Sequence, residues 1–427
     1  MSLNRRTFLR RSAASVSAGA VTYFLPPFAQ PELAAQESKL NQIRIAAIGV
    51  KNQGLPNMKK HTKNIVGVCD VDKNVLGAAA KVLEAANVKP LLTVGDYRRI
   101  LDSKEVDAVI VTTPDHWHAK ITVDACNAGK DVYCEKPLTL TVAEGRAMVI
   151  AARRNKRIVQ TGSQQRSDNR FRLACELVRS GRIGKIKEVK VGIPGPNFKG
   201  PPVADKMPPA ELDYDFWLGP APKRPYNEKR VHYLFRFFWD YSGGQLTNFG
   251  AHHLDIAQWG LGMDESGPVK VSAKARFHKD MWYETPEWCE ILYTYANGVK
   301  MICGMSEKGG TTFIGEKGTI HVNRGTISST PAEIVKEPLL DTDVHLYVSK
   351  NHHDDWLSCI RSRKLPICDV EIGHRSATVC HLGNIAIRVG REIAWDPKAE
   401  TISGDMEASA MLHKPYREPW KIVLQAD

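Results

Sequence analysis

The stretch from Val106 to Pro137, VDAVIVTTPDHWHAKITVDACNAGKDVYCEKP, constrains the fold more than any other part of the chain. An apolar run (Val109, Ile110, Val111) stops at Thr112-Thr113-Pro114 and gives way to a helical pattern. A second short strand (Val132, Tyr133) then leads into Glu135-Lys136-Pro137. A strand that ends in a turn and restarts as a helix leaves its carboxyl end open, and doubly wound sheets bind ligands at such ends. The next strand delivers Lys136 beside that opening.

The residues before this stretch repeat the alternation. Ile43 to Ile48 reads as a buried strand, ending at Gly49-Val50-Lys51-Asn52-Gln53-Gly54. Against the dinucleotide fingerprint G-x-G-x-x-G, Gly49 and Gly54 fit, while Lys51 takes the place of the middle glycine. That glycine normally lets backbone approach the pyrophosphate, so Lys51 either points away or contributes a charge to the phosphates. Ile65 to Cys69 is another strand, and Asp70 stands 21 residues after Gly49. An acid there suits the adenosine ribose hydroxyls and repels a 2′-phosphate, which favours NAD over NADP; Lys73 softens that preference. A competing reading makes Asp70 the cap of the next helix, over Val75 to Ala86. Tyr97 to Leu101 begins a further helix. Together these predict an α/β chain whose first domain, 40–162, is a Rossmann doubly wound parallel sheet that binds a dinucleotide.

The second half has a different pattern. A helix from Asn169 to Ser180 and a strand from Ile186 to Ile193 open a domain expected over 163–395. Val269 to Asn323 is strand-rich, and Asn297-Gly298 between two apolar runs is a strong hairpin signal. A large open, mainly antiparallel sheet is therefore expected. The segment from Pro194 to Gly244 is dense in proline, glycine and aromatic residues, including Phe235-Arg236-Phe237-Phe238-Trp239. Its rings either stack on the apolar face of a sugar or pack against one another; the sequence leaves both open. Residues 396–427 read as a polar C-terminal tail.

Composition matters mainly at the N-terminus. The formal charge is +12, but Arg5, Arg6, Arg10 and Arg11 precede the first acid, Glu32. Asn4-Arg5-Arg6-Thr7-Phe8-Leu9 followed by a small-residue stretch reads as a twin-arginine export signal over 1–36 with its linker. The stretch is too short and too weakly apolar for a membrane span. The expectation is a periplasmic or otherwise exported protein that uses the twin-arginine machinery, with no integral membrane domain. That route carries folded, cofactor-loaded proteins, so a tightly held cofactor is expected. No dense basic run with interleaved aromatics occurs, which argues against nucleic acid. The nine cysteines contain no CxxC pair, so a zinc site or a disulfide framework is not expected.

Asn248 to Trp259 reads as one helix, with Asn248, His252, Asp255 and Trp259 on one face, where Asp255 is placed to orient the His252 imidazole. At this point the chain closely resembles the Gfo/Idh/MocA oxidoreductase family (glucose-fructose oxidoreductase, inositol dehydrogenase and relatives). The resemblance runs from Ile43 to about Ile393. It rests on Thr113-Pro114-Asp115-His116-Trp117-His118, on Glu135-Lys136-Pro137, and on Gly243-Gly244-Gln245-Leu246-Thr247-Asn248-Phe249-Gly250-Ala251-His252. His353-Asp354-Asp355-Trp356 and Gly373-His374-Arg375-Ser376 resemble its exported branch.

The resemblance implies a second domain used for homo-oligomer contacts, in a dimer or tetramer. It also implies nicotinamide-dependent chemistry on a saccharide or cyclitol. Around the cofactor it implies Gly49, Lys51, Gly54, Asp70, Thr113, Pro114, His116, His118, Glu135, Lys136 and Gln164; around the substrate, Lys136, Arg166, Trp239, His252 and His253. Lys136 and His252 correspond to the active-site lysine and histidine. The family's usual acid four residues before that histidine is here Asn248, which takes no proton at neutral pH. Proton handling then falls on His252, backed by Asp255, and on Lys136.

Export poses a difficulty, because free NAD is not expected outside the cytoplasm. A retained cofactor is restored either by a second substrate or by a redox-neutral cycle that cleaves a glycoside through a transient keto-sugar. Net oxidoreduction is the leading expectation. A metal site at His252-His253-Asp255 or His352-His353-Asp354-Asp355 is the weaker alternative, since adjacent helical histidines point apart. An NAD-containing sugar-binding protein without catalysis is the other.

Overall fold

The computed structural model describes residues 42–198 and 201–423. The twin-arginine motif lies outside the described residues. Six strands form the first sheet: β1 (Ile45–Ile48), β2 (Ile65–Cys69), β3 (Leu92–Val94), β4 (Ala108–Val111), β5 (Asp131–Cys134) and β6 (Val159–Thr161). Their order is β3-β2-β1-β4-β5-β6, every neighbouring pair parallel. Each residue of β1, β4 and β5 is buried, as expected for strands covered by helices on both faces. The helices are α1 (Gly54–Lys60), α2 (Lys73–Ala85), the short α3 (Arg98–Leu101), α4 (Asp115–Asn127) and α5 (Val142–Arg154). Asp72, not Asp70, caps α2, accepting from the Asn74 and Val75 amides. Strand order reverses between β1 and β4, so the Gly49 turn and the Thr112-Thr113-Pro114 turn stand side by side at the switch point.

The second domain opens with α6 (Asn169–Arg179) and β7 (Ile186–Gly192), followed by α7 (Tyr214–Leu218), α8 (Gly244–Asn248) and α9 (Gly250–Leu261). Six strands come next: β8 (Lys270–Arg276), β9 (Trp288–Thr294), β10 (Lys300–Gly304), β11 (Gly310–Gly315), β12 (Thr319–Asn323) and β13 (Thr326–Thr330). The chain then runs through α10 (His352–Ser362), α11 (Val370–Val389), β14 (Ile393–Asp396), β15 (Thr401–Ser403) and α12 (Met406–Ala410). The nine strands are ordered β13-β12-β11-β7-β10-β9-β8-β14-β15, and only β7 and β10 pair in parallel. The Asn297-Gly298 hairpin joins β9 to β10, Gly298 taking φ +83. Alternate residues of β9 are buried, so one face carries α6, α9 and α11 in an apolar core (Phe171, Leu254, Val379, Ile291, Phe313) and the other is half-exposed.

Two expectations change. Residues after 396 are not a bare tail: β15 extends the large sheet, and Trp420 is buried against Trp117 and Phe216, ring centroids 5.0 and 4.9 Å apart. A single buried indole supplies enough apolar surface to dock a polar segment. The helix expected from Asn248 to Trp259 is instead two helices, broken at Phe249 between α8 and α9.

Candidate active site

A cavity of about 700 Å³ opens at the switch point and is lined by both domains. Its floor is the glycine turn. Gly49 has φ +79, and a Cβ there would lie 2.7 Å from the Thr112 carbonyl oxygen. A Cβ on Gly54 would sit 2.0 Å from the Gly49 carbonyl oxygen. Both glycines are thus demanded by the close approach of two backbones. Lys51, between them, is exposed and lines the cavity. Asp70 lines it too, its carboxylate accepting from the Val50 amide (2.9 Å) and the Asp72 amide (3.0 Å). Burial pushes the Asp70 pKa up, against those two amides. A turn with glycines at Gly49 and Gly54, lined also by Lys51 and flanked by an acid at the end of β2, fits the diphosphate and ribose of a dinucleotide.

At the other end, Lys136 follows β5. Its Nζ donates to Asn248 Oδ1 at 3.0 Å and to the Asn248 carbonyl at 3.2 Å. The Asn248 amide donates in turn to Gln245 Oε1 (2.9 Å), which turns its oxygen toward the lysine. Burial, together with Arg236 and Arg324, lowers the Lys136 pKa, opposed by Glu135 and Asp115. Glu135 accepts from Asn57 Nδ2 (2.9 Å) and the Lys136 amide (3.2 Å), so it anchors the turn that presents the lysine. His252, one turn beyond the break at Phe249, lines the same cavity, and its buried Nδ1 has no partner among the described residues. Burial, then Lys136, Arg324 and His253, hold its pKa well below the ordinary imidazole value.

Thr113, Pro114, His118 and Gln164 also line the cavity, and the buried Thr113 hydroxyl lacks a partner. His118 spans two carbonyl oxygens, Pro137 and Thr113, both at 2.8 Å. Such a bridge requires both ring nitrogens protonated. Burial opposes the charge, but Cys134, Asp115 and the Pro137 carbonyl outweigh it and raise the pKa to about 10. This imidazolium ties the turn after β4 to the turn after β5.

Residues 43–163 match the model of an oxidoreductase family's NAD-binding Rossmann fold (GFO_IDH_MocA), and residues 198–422 match that family's C-terminal alpha/beta domain. The chain belongs to the Gfo/Idh/MocA oxidoreductase family. Among its curated relatives, the inositol 2-dehydrogenase of Salmonella typhimurium is 32% identical over 159 residues, covering 36% of this chain and 46% of that one. A glycosyl hydrolase family 109 protein of Shewanella pealeana is 28% identical over 205 residues, covering 44% and 45%. The chain therefore spans just under half the length of these relatives. In fold it resembles the WlbA dehydrogenase of Bordetella pertussis, solved with NADH and UDP-GlcNAcA. The TM-score is 0.60 at 20% identity, over 83% of this chain and 99% of that one.

Several residues expected at the site of this family member lie elsewhere. Asp255 does not touch His252: its carboxylate takes Arg166 Nε (3.0 and 2.9 Å), Arg166 Nη2 (2.8 Å) and the Ser376 hydroxyl (2.6 Å). Both residues lie on α9, but the Asp255 carboxylate is already filled by the buried Arg166 guanidinium and the Ser376 hydroxyl. Arg166 is 1% exposed and also pairs with Asp264, so it is structural and not a substrate ligand. Trp239 lines a separate cavity of about 260 Å³, its ring covered by Arg388 and Lys414. His253 is buried outside the lining of that cavity, and burial, then Arg324 and His321, lower its pKa to about 4. His116 bonds the Trp217 carbonyl (3.0 Å) and lines only the smaller cavity.

Other lining residues escaped sequence reasoning. Arg236 was hidden in a run valued for its aromatics, and Arg324 sits in an Asn-Arg-Gly turn with no motif. Asn57 lies on α1 and is brought to Glu135 only by folding. In the aromatic segment Phe237, Phe238 and Tyr241 pack fully inside against one another, while Trp217, Tyr233 and Phe235 line the cavity. Gly54→Ala is expected to weaken NAD binding by at least about ten-fold, since the methyl group must displace the Gly49 carbonyl and so distort the cradle. Titration with the reduced dinucleotide, followed by its dihydronicotinamide fluorescence, checks this, and unchanged affinity would show that the turn does not hold the dinucleotide.

Proposed function

We propose that this protein oxidises a secondary hydroxyl of a sugar, glycoside or cyclitol, with NAD bound tightly in the cradle and restored within each cycle. The observation that carries this is the convergence of Lys136, Asn248 and His252 on the cavity that the Gly49 turn and Asp70 also line. NAD, when bound there, supplies the hydride acceptor. Lys136 takes the hydroxyl proton. Two of its N–H groups are directed to the two Asn248 oxygens, so the neutral amine keeps its lone pair for the substrate. His252, kept neutral by burial and lining the same cavity, holds the hydroxyl in place by donating a ring N–H to its oxygen, which leaves the hydroxyl proton to Lys136. Its protonated form is disfavoured and Asp255 gives it no support, so the reading moves the base from the histidine to the lysine.

Asn248 sets this balance. A carboxylate at that position would stabilise the ammonium form, whereas an amide does not. Asn248→Asp is therefore expected to raise the Lys136 pKa. The base form exists above that pKa, so the acid limb of kcat/KM moves to higher pH, by about one unit or more. An unmoved limb in a pH–rate profile would show that Lys136 is not the base.

The Shewanella relative's name supports a second reading, redox-neutral glycoside cleavage through a transient keto-sugar. One experiment tests both. Purified protein with its NAD is mixed with a panel of free sugars and glycosides while the reduced-nicotinamide absorbance band is followed. Persistent reduction supports net oxidation, and transient reduction with release of a free sugar supports cleavage. A flat trace throughout overturns both. Export by the twin-arginine machinery to the periplasm belongs to this reading and is supported by Arg5-Arg6. The half-exposed face of the nine-stranded sheet supports self-association as a dimer or tetramer.

A further inference from the structure

Two arginines line the main cavity from different elements. Arg236 comes from the aromatic segment, and Arg324 from the turn between β12 and β13. Arg236 lies over the Tyr233 ring, 4.1 Å from its centroid, and its buried Nε has no hydrogen-bond partner among the described residues. Arg324 is exposed and lies 5.7 Å from the centroid of Phe249, the residue at the break between α8 and α9. Neither forms an ion pair among the described residues. Nearby arginines of the same segment do: Arg224 with Asp240 and Glu284, and Arg230 with Asp205.

The carboxylates that line the cavity are already engaged. Asp70 holds two backbone amides, Asp115 the Ser242 hydroxyl, Glu135 the Asn57 amide and the Lys136 N–H, and Asp168 the Arg170 guanidinium. Asp115 and Glu135 are the acids whose fields reach Lys136, and the two arginines oppose them there. The substrate end thus presents two uncommitted planar guanidinium groups beside the lysine. Such groups are suited to carboxylate and phosphate, which they grip with paired N–H donors.

We propose that the substrate is an anionic sugar derivative, its carboxylate or phosphate ester gripped by Arg236 and Arg324 while a secondary hydroxyl meets Lys136. This rests on the reading of the site as one that oxidises sugars. The negative group meets the guanidinium groups that line the cavity and neutralises a field that otherwise weighs on the proton-accepting lysine.

The test is calorimetric titration of the full chain carrying its NAD with three probes: glucuronate, glucose phosphate and methyl glucoside. At least one anionic probe is expected to bind about ten- to hundred-fold tighter than methyl glucoside, the range of a charge-assisted contact. Which one does so separates carboxylate from phosphate. Arg236→Gln and Arg324→Gln should each remove most of that preference, read as the ratio of anionic-probe to methyl glucoside affinity within the same variant. Arg324→Lys should keep part of it, which separates lost charge from lost folding. Equal binding of all three probes overturns the proposal, as does a preference that survives both glutamine variants. Release of NAD by either variant, with the preference intact, assigns the guanidinium groups to the cofactor and also overturns it. Absorbance is recorded in the same titration. Selective binding with a flat trace retains the anion site and removes the oxidation reading, whereas reduction without selectivity does the reverse.

Discussion

Lys136→Met is expected to lower kcat by about 10²–10⁴-fold while NAD stays bound. Methionine fills similar space, but it has neither a lone pair to take a proton nor a charge to steady the developing alkoxide. The cradle around Gly49, Gly54 and Asp70 does not use the lysine side chain, so dinucleotide affinity should barely change. The Asn248 oxygens, which accept from Nζ at 3.0 and 3.2 Å, would turn to water or substrate. Turnover measured beside the bound-NAD content separates the two effects. Activity within about ten-fold of the parent would remove the lysine as proton acceptor. His252→Gln gives the useful contrast: an imidazole that positions the hydroxyl without taking its proton should affect KM more than the pH profile.

Asp255→Asn is expected to destabilise the fold by about 3–5 kcal/mol, the usual consequence of removing one partner of a buried ion pair. Arg166 is 1% exposed and Asp255 fully buried, and the pair is held by three contacts of 2.8 to 3.0 Å. Burial works against the guanidinium charge, but Asp255 and Asp264 outweigh it and keep Arg166 protonated. Loss of Asp255 leaves that charge with Asp264 alone, whose side chain is 25% exposed. Chemical denaturation reads the loss. Folded variant should keep the parent pH–rate profile, because Asp255 spends its carboxylate on Arg166 and Ser376 and not on the His252 imidazole. A variant of normal stability with a displaced profile would restore the older picture of an aspartate acting through His252.

These two aspects differ in how far they could be read from residues alone. The parallel domain was legible because its strands are short apolar runs ended by glycine or proline turns, with helices at regular intervals. Gly49, Gly54 and Asp70 kept their relation because they belong to one βαβ unit, whose geometry is local. The Asn297-Gly298 hairpin was legible for the same reason. Lys136 and Asn248 could be paired only through resemblance to known relatives, since 112 residues separate them. Arg166 and Asp255, 89 residues apart, form a better-satisfied pair than the local His252–Asp255 spacing allowed. A buried charge takes whichever partner completes its hydrogen bonds, and helical periodicity says nothing about partners on other elements.

The amino-acid sequence by itself determined the alternation of strand and helix, the glycines of the dinucleotide turn and the lysine beside the open end of the sheet. Each of these follows from backbone sterics and burial acting over a few dozen residues. Tertiary structure alone decided which carboxylate serves which cation. It broke the helix at Phe249, sent Trp239 and His116 to a second cavity, and left Arg236 and Arg324 lining the main one without an ion pair among the described residues. Charge pairing and exposure depend on which distant surfaces meet, and that is settled only when the two domains close on each other.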